Sequence, residues 1–179
     1  MRDDDKIFPY LDLKPTIHST AFLAPGAKIV GDVQIGAEAS VWFNTVVRGD
    51  VNYVKIGART NVQDCSMLHV TRETHPLVIG EGCTIGHSVK LHGCVLEDEC
   101  LIGIGAIVLD GAVVEKHATV AAGAVVTPGA RIPSGTIAAG VPAKPLRDLT
   151  PEEMGDLPAS AERYVKFAKL TAESIREAE

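Results

Sequence analysis

Large rings are scarce in this 179-residue chain, which holds one Trp, three Tyr and four Phe although 46% of its residues are apolar. The core must then be filled by Val, Ile, Leu and Ala, which suits thin, repetitive layers better than a sandwich with large central rings. Positive charge is also short: 17 Lys and Arg stand against 23 Asp and Glu, a net charge of −6. That balance argues against nucleic-acid or anionic-membrane partners. No apolar stretch approaches the length of a bilayer span, and the start, MRDDDKIFPY, is acidic where a signal peptide would be basic and then apolar. Four cysteines without framework spacing point to reduced thiols in a cytoplasmic protein. Walker, dinucleotide-fold and Ser-nucleophile signatures are missing; Gly103 and Gly105 belong to a repeat, with no helix expected after them to receive a phosphate.

What the chain does have is a period of six. Apolar residues recur at Ile17, Leu23, Ile29, Ile35, Val41 and Val47, then at Ile56, Val62 and Leu68 after three extra residues. Five more extra residues precede Ile79, Ile85 and Leu91. One residue is then lost, and the run continues through Leu96, Ile102, Val108, Val114, Val120, Val126 and Ile132. Calling each of these i, position i+4 is usually small and i+3 is often Gly. A helix needs a period near 3.6 and a simple strand a period of 2, so neither fits. Short strands with a bend every six residues do fit, stacked in parallel coils around one core. Residues 1–16 read as a lead-in, 17–148 as the repeat domain and 149–179 as a helical segment. Thr150-Pro151-Glu152-Glu153 reads as its N-cap, with Gly155 and Pro158 expected to interrupt the helix.

This hexapeptide pattern resembles the left-handed parallel β-helix fold. The resemblance implies the handedness and three hexapeptides per triangular coil, so nineteen i positions give about six coils. With Leu68 on face one, Leu91 lies on that face one coil higher and Val47 one coil lower. His69 and His92 then stack outside face one, roughly 4.8 Å apart at the backbone, with Arg48 continuing the column. His87 sits at a bend on face three, one coil above Asp64. A face of six extended residues spans roughly 20 Å whereas zinc–nitrogen bonds are about 2.0–2.1 Å. One chain therefore should not bring His87 to an ion held by His69 and His92, but a second chain in a closed homotrimer can. The same docking would set Arg48 near a neighbour's Asp64, and Trp42 and Phe43 at the interface.

VVRGDV at 46–51, IGARTNVQD at 56–64, LHV at 68–70 and IGHSVKLHGC at 85–94 resemble the γ-class carbonic anhydrase-like proteins. That resemblance implies Zn²⁺, with Fe²⁺ or Co²⁺ as alternatives, held by His69 and His92 of one subunit and His87 of the next. It implies that Gln63 acts beside the metal-activated water, that Asn61 and Tyr164 line the pocket, that Arg48 and Asp64 bridge subunits, and that Asp50 orders the site. The implied reaction is reversible hydration of CO₂ to bicarbonate. The best-known active members carry Glu where this chain has Arg72 and Val51, which leaves Glu73 or His75 as the candidate proton relay; their ordinary reading is loop solvation.

His18 and His117 read as solvated residues. Cys83 and Cys100 fall at i+4 in successive coils, within disulfide reach, but read best as small core filler. The rival functions are a hexapeptide acyltransferase using acyl-CoA and a weakly active or non-catalytic metal-binding trimer.

Overall fold

The computed structural model describes residues 6–178. The i residues stack into three parallel columns. Face one carries Ile7, Ile29, Val47, Leu68, Leu91, Val108 and Val126. Face two carries Ile17, Ile35, Ile56, Ile79, Leu96, Val114 and Ile132. Face three carries Leu23, Val41, Val62, Ile85, Ile102, Val120 and Ala138. The result is a parallel β-solenoid of about seven turns. The turn beyond the expected six comes from Ile7 and Ala138, which carry the columns past both ends of the recognised repeat. An antiparallel hairpin, Thr136–Gly140 with Ala143–Asp148, closes the far end.

Stacking drives the i side chains of the inner turns inward; Ile29, Leu68, Ile85, Leu91 and Ile102 have no exposed surface. Each such aliphatic chain contributes about 1.5–3 kcal/mol on burial. The i+4 positions turn the corners, where only a small side chain fits, and Ala39, Ala106, Ala112 and Ala118 are fully buried there. At most corners outside the irregular one, position i+3 adopts positive φ whether or not it is Gly: Asn44, Arg59, Cys65, Ser88 and Glu99 lie between 56 and 61°. The bend thus imposes the left-handed conformation, at a cost of about 1–2 kcal/mol wherever a Cβ is present. All four cysteines are free. Burial pushes the Cys94 thiol up to about 12, and the hydrogen bond with Cys83, together with burial, pushes Cys100 upward too. The buried Cys83, Cys94 and Cys100 are packing residues.

All three irregularities in the period fall at the corner between faces one and two, in successive turns. The three extra residues form a bulge in the long strand Val46–Ile56, opposite Gly31 of Lys28–Ile35. The five extra residues make a tight loop bridged between Thr71 and His75, with Glu73 at its tip. The missing residue shortens the next corner, where Gly93 takes φ +53°.

A single helix, Pro151–Ala178, follows. Its start is a reciprocal cap: the Glu153 N–H donates to Thr150 Oγ1 at 3.2 Å, and the Thr150 N–H donates to Glu153 Oε2 at 2.8 Å. Contrary to expectation, Gly155 and Pro158 do not interrupt it. A proline inside a helix costs about 3 kcal/mol or more, and here the packing of Leu157, Ser160, Ala161, Val165 and Ala168 offsets it. The helix lies on face three of its own chain, tied by Thr84 Oγ1 to Ser160 Oγ at 3.1 Å, Arg59 to Glu162 and Lys169 to Glu38. It also covers Trp42, which packs edge-on to Tyr164 at 5.6 Å and to Phe22 at 5.5 Å. Trp42 is therefore satisfied within the chain and does not wait for a neighbour. No helix among the described residues is long and apolar enough to cross a membrane.

Candidate metal centre

The irregular corner gathers four side chains from four successive turns. His69 and His92 are in register, Leu68 pairing with Leu91 beneath them. His69 Nδ1 and His92 Nε2 are 3.1 Å apart. The outer nitrogen of each ring meets a carboxylate: His69 Nε2 lies 2.9 Å from Asp50 Oδ1, and His92 Nδ1 lies 2.7 Å from Asp110 Oδ1. Asp50 reaches its place because it lies in the bulge, outside the paired register of its strand, and Arg48 pairs with its second oxygen.

Both carboxyls are held below the usual carboxylate range. Burial alone would raise Asp50, but the hydrogen bond from His69 and the pairing with Arg48 outweigh it. Burial would likewise raise Asp110, and hydrogen bonds from His92 and Thr71 overcome that. An ionised carboxylate only accepts, so His69 Nε2 and His92 Nδ1 donate to Asp50 and Asp110. The inner nitrogens stand at hydrogen-bonding distance from each other, and a cation beside them would take the inner lone pair of each ring. In a tetrahedral zinc site two nitrogen ligands are about 3.3 Å apart, given bonds of about 2.0–2.1 Å. The observed separation fits.

The third histidine lies elsewhere. His87 follows the strand Thr84–Ile85 on face three, its Nδ1 2.7 Å from Asp64 Oδ2 and its ring 44% exposed. Asp64 and Arg48 thus both have partners within the chain, His87 and Asp50 respectively. Gln63 adjoins Asp64 and is almost fully buried. Its Nε2 donates to Asn61 Oδ1 at 3.0 Å, and Asn61 Nδ2 donates to Thr84 Oγ1 at 3.0 Å and to the Cys83 carbonyl at 3.2 Å. Tyr164 is half-buried beside them, its hydroxyl shifted upward by burial and by the negative charge of Asp64. One chain therefore carries two separate polar clusters: Asp50, His69, His92 and Asp110 on face one, and Asn61, Gln63, Asp64, His87 and Tyr164 on face three. Among the described residues, no three His, Cys, Asp or Glu side chains converge on one ion.

The loop over face one separates the two relay candidates. Glu73 is exposed on the rim of a cleft of about 360 Å³ that also takes in Asp50, Val51, Asn52, Tyr53 and Arg72. His75 is turned the other way, against Gly93 and Gly111 and close to Asp110. His117, read as solvated, is half-buried and pairs with Glu99 at 2.5 Å; having no second imidazole beside it, the pair is a corner contact between coils. Asp110 is the residue sequence reasoning missed: it is i+2 of a regular hexapeptide, and only its stacking above the shortened Gly93 corner marks it out.

Comparison with known proteins bears on the family. Residues 93–128 match the family model described as bacterial transferase hexapeptide (six repeats). A carbonic anhydrase of Geobacillus kaustophilus is 47% identical over 160 residues, covering 89% of this chain and 87% of that protein. The mitochondrial gamma carbonic anhydrase 1 of Arabidopsis thaliana is 49% identical over 166 residues; the alignment covers 90% of this chain but spans only 60% of that longer protein. Among solved structures, a hexapeptide transferase family protein from Anaplasma phagocytophilum superposes with a TM-score of 0.88 at 42% identity, over 93% of this chain and 98% of that one. The chain belongs to the γ-class carbonic anhydrase-like family of hexapeptide-repeat proteins.

Proposed function

We propose that this protein is a metal-dependent carbonate dehydratase that interconverts CO₂ and bicarbonate at sites shared by neighbouring copies in a closed trimer. The observation that carries this reading is the division of one donor set between two faces of the chain. His69 and His92 of one copy, with His87 of the next, would hold Zn²⁺, or Fe²⁺ or Co²⁺ in its place. A metal held by three neutral imidazoles keeps its full charge and supplies water activated as a nucleophile near neutral pH.

The chain's own residues do the rest. Gln63 has one N–H fixed by Asn61, so its amide plane is set and its remaining polar atoms are free to orient the reacting water or a bicarbonate oxygen. Asn61 is fixed in turn through Thr84 to the terminal helix, so the helix braces the pocket. Tyr164 stays protonated near neutral pH and offers a hydroxyl donor at the pocket wall. Glu73, on the cleft beside Asp50, is better placed than His75 to pass a proton outward through water.

Metal analysis joined to stopped-flow CO₂ hydration tests the proposal. Bound metal and a rate above buffer, both lost in His87→Ala, are expected; a loaded protein with no rate above buffer removes the enzymatic claim. The transferase names of the repeat model and the superposed structure favour a second reading as an acyltransferase, which acetyl-CoA binding to metal-free protein would support. A non-catalytic metal-binding trimer would show tight metal and no turnover.

A further inference from the structure

The geometry points to Asp110 as a positioning residue that locks His92 in the Nδ1–H tautomer and so aims its Nε2 lone pair at the metal; this rests on the metal reading above. Each of the three candidate ligands has a carboxylate on its second nitrogen: Asp50 on His69, Asp64 on His87 and Asp110 on His92, at 2.7 to 2.9 Å. Such partners fix ring orientation and raise ligand basicity.

The surroundings of Asp110 are built for that contact. The shortened corner brings Gly93 beneath it, its N–H bonded to the His69 carbonyl at 3.0 Å and its carbonyl accepting from the Gly111 N–H at 2.7 Å. A Cβ at Gly93 would stand 2.3 Å from Asp110 Oδ1 and 2.7 Å from His75 Cβ. Only glycine leaves the carboxylate room to reach His92. The Thr71 hydroxyl donates to Asp110 from the other side, and Thr71 is itself held through its carbonyl by Asn52 Nδ2 at 3.0 Å. The five-residue insertion, the one-residue deletion and Asp110 thus form one support for a single imidazole.

The test compares wild type, Asp110→Asn and Thr71→Val as full-length proteins. Two-bond ¹⁵N–¹H spectra of metal-free protein should show His92 protonated at Nδ1 in wild type and a loss of that preference in Asp110→Asn. Zn²⁺ affinity, measured by chelator competition, should fall about 10- to 100-fold in Asp110→Asn. Thr71→Val, which leaves the carboxylate in place, should weaken binding about fivefold, the worth of one ordinary hydrogen bond. Unchanged tautomer or unchanged affinity in a folded Asp110→Asn overturns the proposal. If that variant does not fold, unchanged affinity in Thr71→Val does so instead. Should wild type bind no zinc at all, the metal reading fails, while the tautomer spectra still judge the role of Asp110.

Discussion

Asn61 offers the sharpest test of how face three is held together. Replacing it with Leu keeps the volume but removes an acceptor from Gln63 Nε2 and a donor from Thr84 Oγ1. Asn61 has no exposed surface, so the side of the Gln63 amide that faces it is closed to water and the lost bond is not replaced. A stranded buried donor costs about 1–3 kcal/mol. The Thr84 hydroxyl still donates to Ser160, so its share adds no more than about 1 kcal/mol. The Cys83 carbonyl keeps its bond from the Asn61 backbone N–H and adds nothing. Asn61→Leu should therefore destabilise the protein by about 2–3 kcal/mol. Removing both partners of a buried bond is nearly neutral, so Asn61→Leu with Gln63→Leu should recover about 1–2 kcal/mol of that loss. Urea midpoints at fixed protein concentration measure the cycle. A single variant within about 0.5 kcal/mol of wild type, or a double variant no better than the single, would refute the reasoning.

Other consequences are as direct. Gly93→Ala meets Asp110 and His75 at a positive φ and should lower the melting temperature far more than Gly105→Ala. At Gly105 nothing lies within 4 Å, and only the backbone cost of about 1–2 kcal/mol applies. At the helix start, the ion pair with Arg147 and the Thr150 N–H lower the Glu153 carboxyl from 4.5 to about 2. A depressed carboxylate stabilises the fold above its unfolded value and loses that contribution as pH falls from about 4.5 to about 2. Glu153→Gln should flatten that part of the acid unfolding curve, and an unaltered curve would count against the cap.

Much of this was legible in the chain itself, for physical reasons. A stacked coil has one inward position in six, so the phase of Leu68 and Leu91 sets the register of His69 and His92 without any tertiary information. The breaks in phase were equally visible, and they mark the corner where His69 and His92 meet Asp50 and Asp110. Other features depend on neighbours in space. Asp110 has no local signature, since its role comes from the turn below it. Arg48 finds Asp50 because the bulge folds the strand back, which spacing alone does not reveal. Pro158 remains helical because face three supplies a packing surface that propensity ignores. Ile7 and Ala138 escaped the repeat because one lies in a polar lead-in and the other is a small residue at a position normally filled by Val, Ile or Leu.

The proposed sharing of one centre between chains can be tested by complementation. His87→Ala spoils the face-three half and His92→Ala the face-one half, so neither variant alone should bind metal or hydrate CO₂. Dissociated and reassembled in equal amounts, the two should regain about a quarter of the wild-type metal, because in a closed ring each site draws one half from each of two randomly chosen neighbours. No recovery from a properly reassembled mixture would contradict a centre shared between chains.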